Sequence, residues 1–216
     1  MKELRANLDY RQSDRGTSQS GFSMVELMVV VGLIMIISAM AILAYLPTLQ
    51  DARFDTAMRQ VLDQLRQARE YSVANRRYVQ VAFPTVVTAG GTQYQVVITQ
   101  KNSFLTPGGG VIDPVLSTVP IEFPAQFLVF PGSPDTPDAF GNSSAIVFGG
   151  TNGGPPAGMY FQSDGELVSA ATLQPINGTI FLGVPGKPTS SRAITVLGST
   201  GRVRGWKSNG TTWRQF

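Results

Sequence analysis

The 216-residue chain contains no histidine and no cysteine. The commonest general base, thiolate nucleophiles, soft metal ligands and disulfides are therefore all excluded. The side chains left with a task to perform lie near the two ends. Near the C-terminus runs STGRVRGWKSNGTTWRQF. In an extended strand Arg202, Arg204 and Trp206 share one face, with Lys207 and Arg214 close by in sequence. Two guanidiniums beside an indole suit a phosphate backbone and an unstacked base, which is nucleic-acid chemistry. The same basic residues could instead guard an exposed strand edge against pairing with another chain.

The other residue is Glu26, which immediately precedes an uncharged, mostly apolar run over residues 27–46. A carboxylate in hydrocarbon costs roughly 3 kcal/mol or more. A helix of that run, at ~1.5 Å per residue, covers about 30 Å and can cross a bilayer once. Two ordinary readings compete for it. Ala39-Met40-Ala41 has the small-x-small form of a secretory cleavage site, although the apolar run continues past it through Ile42, Leu43, Tyr45 and Leu46. Alternatively, Glu26 sits at the headgroup edge of a plain anchor.

Other constellations carry little. Gly186-Lys187 is followed by Pro188, so it is not a phosphate loop. Asp135, Asp138 and Asn142 do not fit a calcium-loop template and read as a solvated turn. No nucleophile–base pair or scaffolded acid pair is visible, and the reading is of a non-enzyme with no cofactor, no metal site and no catalytic residues. The net charge of +3 is too mild to imply nucleic acid by itself, so that reading rests on the local tail.

The elements that position these residues divide the chain. Residues 1–21 are a polar leader, 22–46 a membrane-spanning helix, 47–76 an amphipathic helix and 77–216 a β-rich domain. In the amphipathic part Phe54, Met58, Val61, Leu62, Leu65, Ala68 and Ser72 recur at helical spacing, with Asp51, Arg53, Asp55, Arg59, Asp63, Arg66 and Arg69 mostly off the stripe. If Pro47 only kinks the backbone, span and amphipathic part form one rod ending near Asn75, ~78 Å long. Beyond Tyr78 the period becomes two. Strands are expected over residues 79–83, 94–99, 119–123, 127–130, 145–148, 159–162, 179–184, 193–197 and 202–207, separated by glycine- and proline-rich turns, with residues 131–144 as a surface loop.

The segment Gly21-Phe22-Ser23-Met24-Val25-Glu26-Leu27 resembles the prepilin cleavage site of type IV pilins and type II secretion pseudopilins. The resemblance implies a prepilin peptidase that cuts after Gly21, leaves the span attached and methylates Phe22. Glu26 would then neutralise the new ammonium of a neighbouring subunit during assembly. Further matches are similar to the GspH/FimT family of minor pilins and pseudopilins: Tyr160-Phe161-Gln162-Ser163-Asp164-Gly165, Asn177-Gly178-Thr179-Ile180-Phe181-Leu182, Arg192-Ala193-Ile194-Thr195-Val196, Gly201-Arg202-Val203-Arg204, and the helix end 65–73 with Val79-Gln80-Val81. This implies an α+β, pilin-like fold, with a long N-terminal helix packed on an antiparallel β-domain. It also implies partners among other pilin subunits, a single pass of the bacterial inner membrane with a periplasmic domain, and later residence in a pilus or pseudopilus. That family includes minor pilins implicated in DNA uptake, so the tail residues become candidates for weak, non-specific DNA binding. Two departures stand out. Pilins often place a proline about where Leu43 lies, and the cysteine pair of many major pilins is absent. The alternative is a membrane-anchored or secreted binding domain that never polymerises.

Overall fold

The structure, a computed structural model, describes residues 21–88, 91–102, 113–121, 125–128, 138, 140–141, 143–149, 159–169 and 171–216. The leader up to residue 20, Asp135, Asn142 and most of the expected 131–144 loop lie outside the described residues. So do 122–123 and 129–130 of two expected strands.

One helix, α1 (Met24–Asn75), is assigned without interruption, so Pro47 does not end it. The chain nonetheless divides into two compact units, residues 1–45 and 46–216. In the first, residues Met24–Ile42 form an apolar stretch of mean hydropathy 2.6, none of it buried within the molecule. A helix that is apolar all round needs a nonpolar surrounding, and this one is long enough to cross a membrane.

The second unit holds the core. Phe54, Ala57, Met58, Val61, Leu62, Leu65, Ala68 and Ser72 are all buried, which is the stripe read from the sequence with Ala57 added. The helix closes with Arg76 in the left-handed region (φ 50°), while the Arg77 N–H donates to the Ser72 carbonyl at 3.2 Å, a C-terminal cap.

Two antiparallel six-stranded sheets accompany the helix. The first contains β1 (Tyr78–Ala82), β2 (Thr85–Thr88), β3 (Gly91–Lys101), β4 (Val115–Pro120), β7 (Met159–Phe161) and β8 (Leu167–Ser169), in the order β2-β3-β1-β7-β8 with β4 also on β3. The second contains β5 (Gln126–Phe127), β6 (Ile146–Phe148), β9 (Gly178–Val184), β10 (Lys187–Leu197), β11 (Arg202–Ser208) and β12 (Trp213–Gln215), in the order β12-β11-β10-β9-β5 with β6 also on β9. The architecture is α+β, as expected of a pilin-like chain. Strands β2, β8 and β12 were not anticipated, and the strand expected over 119–123 lies earlier, at Val115–Pro120.

The sheets meet at a corner of turns. The Leu167 N–H donates to the Gly198 carbonyl at 2.8 Å, joining the turn before β8 to the turn after β10. Gly201 (φ 60°) lies so close that a Cβ there would strike the Gly165 carbonyl oxygen and come within 2.8 Å of Arg69 Nε. Glycine is required because both conformation and space forbid a side chain. Arg69 of α1 is thereby threaded into this corner.

Candidate functional site

At the N-terminal end, Gly21, Phe22 and Ser23 precede the helix and are exposed, with Phe22 at 79%. The Ser23 carbonyl accepts the Leu27 N–H at 3.0 Å, which makes Ser23 the N-cap and Glu26 the third helical residue. An acidic side chain there is favoured by the helix dipole, by about 0.3–1 kcal/mol at an exposed site. Gly21 has no such local reason: a Cβ on it would meet nothing within 4 Å among the described residues. No packing among the described residues requires glycine at this position.

At the C-terminal end, β11 alternates as the sequence suggests. Val203 and Gly205 point inward, Gly205 against Leu62 and Met58 of α1, so Arg202, Arg204 and Trp206 occupy the outer face. The structure divides this trio by environment. Arg202 is exposed and its side chain has no partner among the described residues. Arg204 is only 33% exposed and pairs through Nη1 with Asp138 Oδ1 at 3.5 Å. The Trp206 indole donates to Thr195 Oγ1 at 2.8 Å, and that hydroxyl donates to Asp138 Oδ2 at 2.8 Å. Asp138, in a left-handed conformation (φ 63°), ties Arg204 and Trp206 into one network. The same finding replaces the solvated-turn reading of Asp138.

Lys207 departs further. By strand parity it faces α1, where its ammonium lies 3.3 Å from Asp55 Oδ2. Its register partner Arg192 is fully buried and donates through Nε to Asp55 Oδ1 at 2.7 Å, with Nη1 reaching the Ser191 carbonyl at 3.2 Å. One helix carboxylate thus holds a cation from each of two adjacent strands. Lys207 is not gathered with the outer-face arginines. Arg214 is exposed on β12, opposite Lys207 in register.

Arg192 was missed as an element of this cluster. Its sequence signal was a lone charge opening an otherwise apolar strand, Arg192-Ala193-Ile194-Thr195-Val196. Among the described residues no three acidic groups gather in a way that could hold a metal ion. One carboxylate is shifted: the Asn102 N–H and the Lys101 ammonium, 3.0 and 2.8 Å away, hold Asp113 below its ordinary value.

The apolar helix and the exposed glycine just ahead of it define one kind of segment. Residues 16–42 match the prokaryotic N-terminal methylation motif. The motif marks a type IV pilin-like prepilin signal and supports a pilin- or pseudopilin-like, structural role. It fits a chain anchored in the membrane by a single pass, and suggests prepilin peptidase and other pilin subunits as partners. No curated protein and no solved structure is significantly similar to the chain.

Proposed function

We propose that the chain is a minor subunit of the GspH/FimT type, belonging to a type IV pilus or a type II secretion pseudopilus. Prepilin peptidase cuts it between Gly21 and Phe22 and methylates the new terminus. The inner-membrane helix keeps the soluble domain in the periplasm, and the subunit then enters a filament whose core is bundled apolar helices. The observation that carries this reading is the methylation motif set directly on an apolar helix with no buried residue. Gly21 agrees with it, because a glycine that no packing among the described residues needs is accounted for by an enzyme that reads it.

The position of Glu26 follows from magnitudes. The dipole of α1 returns about 0.3–1 kcal/mol, less than the roughly 3 kcal/mol of carrying the charge into hydrocarbon. The ammonium of a neighbouring Phe22 supplies the remainder when helices bundle, since opposite charges offset each other's burial. Intact mass and N-terminal sequencing of membrane-extracted protein test the cut. A methylated Phe22 start supports it, whereas a start at Ile42 shows secretory cleavage and an intact leader a plain anchor. Glu26→Gln should remove the protein from sheared filaments, and normal incorporation rejects the assembly role.

A second reading, DNA contact during uptake, is favoured by Arg202, which is exposed and has no side-chain partner among the described residues. It would bind weakly and without sequence preference, with Arg204 in support once released from Asp138; Arg214, the register partner of Lys207, stands on the other face of the sheet. Arg202→Glu should lower the anisotropy of a labelled duplex at low salt, where phosphate contacts are strongest. Binding unchanged by that substitution leaves β11 as a structural strand.

A further inference from the structure

Among the described residues six positions of positive φ are glycines, which adopt that conformation without steric cost, and two more are Asp138 and Arg76. The remaining one is Leu173, at φ 53° in the connection between β8 and β9. A large apolar side chain is an outlier in the left-handed region. It is also 47% exposed, so burial does not account for a leucine where glycine would be relaxed. The turn that presents it is firmly held. The Leu173 N–H donates to the Ser169 carbonyl at 2.8 Å, the Ser169 N–H donates to the Gln174 carbonyl at 3.1 Å, and Pro175 bridges back to Val168. A lone exposed leucine is ordinary on relaxed backbone, but strain kept at a well-bonded tip marks a side chain held out for contact.

A recess that suits it lies on another element. A cavity of about 510 Å³ beside β12 is lined by Thr189, Lys207, Asn209, Arg214, Gln215 and Phe216, among others. Phe216 is 45% exposed, with the Arg59 guanidinium 4.9 Å from its ring centroid. The ring and the alkyl stems of Lys207 and Arg214 offer apolar surface. Residues 167–186 carry no charge, so the tip meets those two cations without repulsion.

We propose that the Leu173 tip of one copy of the chain docks in the β12 cavity of the next. Tip and cavity are different patches, so the contact is heterologous and propagates from copy to copy instead of closing a pair. A filament uses contacts of that form; the inference rests on the assembly role proposed above and names a surface for it. One buried leucine is too little to hold two free copies together, but copies anchored in one bilayer meet at high effective concentration.

The chain has no cysteine, so one introduced at each surface reports the contact. Full-length Ala171→Cys and Gln215→Cys, both at exposed positions, are reconstituted together in liposomes in equal amounts and oxidised. Random collision gives a statistical mixture of like and mixed dimers, whereas docking should raise the mixed dimer several-fold above it. Adding Leu173→Asn to the Ala171→Cys chain should return the mixture to the statistical ratio, a weakening of roughly 10- to 100-fold for the loss of one buried leucine. Asparagine tolerates left-handed backbone, so the melting midpoint of that variant should hold or rise. The proposal is overturned by a statistical ratio in the parent pair or by an excess that survives Leu173→Asn. A midpoint that falls by several degrees also overturns it, because Leu173 then serves the fold. A dye on Ala171→Cys whose emission follows lipid composition and not the protein-to-lipid ratio places the tip on the bilayer and rejects the second copy. A statistical ratio alongside a methylated Phe22 in native membranes rejects this surface while the assembly reading stands.

Discussion

Replacing Asp55 with alanine should cost the soluble unit about 3–5 kcal/mol, the usual loss when one partner of a buried ion pair is removed. The magnitude follows from Arg192, whose side chain is 0% exposed and whose shortest charged contact, at 2.7 Å, is Asp55 Oδ1. Without that oxygen, Nε joins Nη2 as an N–H with no partner among the described residues, where the Ser191 and Thr189 carbonyls remain for Nη1. Lys207 adds little, because at 43% exposure its charge is largely hydrated. For a domain of 150–250 residues each kcal/mol moves the midpoint by about 2–4 °C, so a fall of roughly 6–20 °C is expected. Circular dichroism melts of the full chain in detergent measure it. Two companions sharpen the test: Lys207→Ala should shift the midpoint by no more than a few degrees, and Asp55→Asn with Arg192→Met should recover much of the loss by removing the stranded charge. A midpoint for Asp55→Ala within experimental error of wild type would refute the argument, since it would mean that the guanidinium does not need its carboxylate.

Other outcomes follow from single contacts. Gly198→Ala places a Cβ 2.5 Å from the Ile176 carbonyl oxygen and 2.6 Å from its nitrogen, backbone atoms that cannot swing away; a loss of about 1–3 kcal/mol is expected in denaturant titration, and none would show that the corner yields. Asp138→Asn frees Arg204, so duplex affinity should rise by up to about fivefold, the equivalent of ~1 kcal/mol for a partly exposed pair; unchanged anisotropy would place Arg204 off the nucleic acid. Asp113 is held below its ordinary range, so its contribution to stability is complete above about pH 4 and fades as acid protonates the folded form. Asp113→Asn should therefore be less stable than wild type near neutrality, with the gap closing on acidification, and a gap that widens in acid would contradict the sign.

How far the sequence reached depends on range. The buried stripe from Phe54 to Ser72 was legible because helical period is a local property, and the 2-residue period found most strands. Strands β8 and β12, three residues each, are too short to establish alternation, and β2 follows Pro84 as an exposed hairpin arm. Parity alone separates Lys207 from Arg202, Arg204 and Trp206. What parity could not supply was its partner: Asp55 lies 152 residues earlier, and nothing local pairs the two. The N-terminal segment was readable for the opposite reason, since Gly21, Glu26 and the apolar run form a contiguous signal matched by the methylation motif. The GspH/FimT assignment rested on scattered short matches, to which that motif adds nothing. Arg69 looked like one more solvated helix charge until two distant glycine turns were seen to close on it.

The pairing of Asp55 with Arg192 and Lys207 also fixes a calendar for biosynthesis. Ribosomes deliver the chain from its N-terminus, so α1 is made long before β10 and β11 exist. Until those strands emerge, Met58 and Leu62 lack the Gly205 surface that covers them, and Asp55 faces no cation. The early end of the amphipathic helix waits for strands made far later in the chain. A nascent chain stalled before β10 should therefore present an uncovered apolar helix, a natural substrate for a holdase chaperone, whereas one stalled after β11 should not.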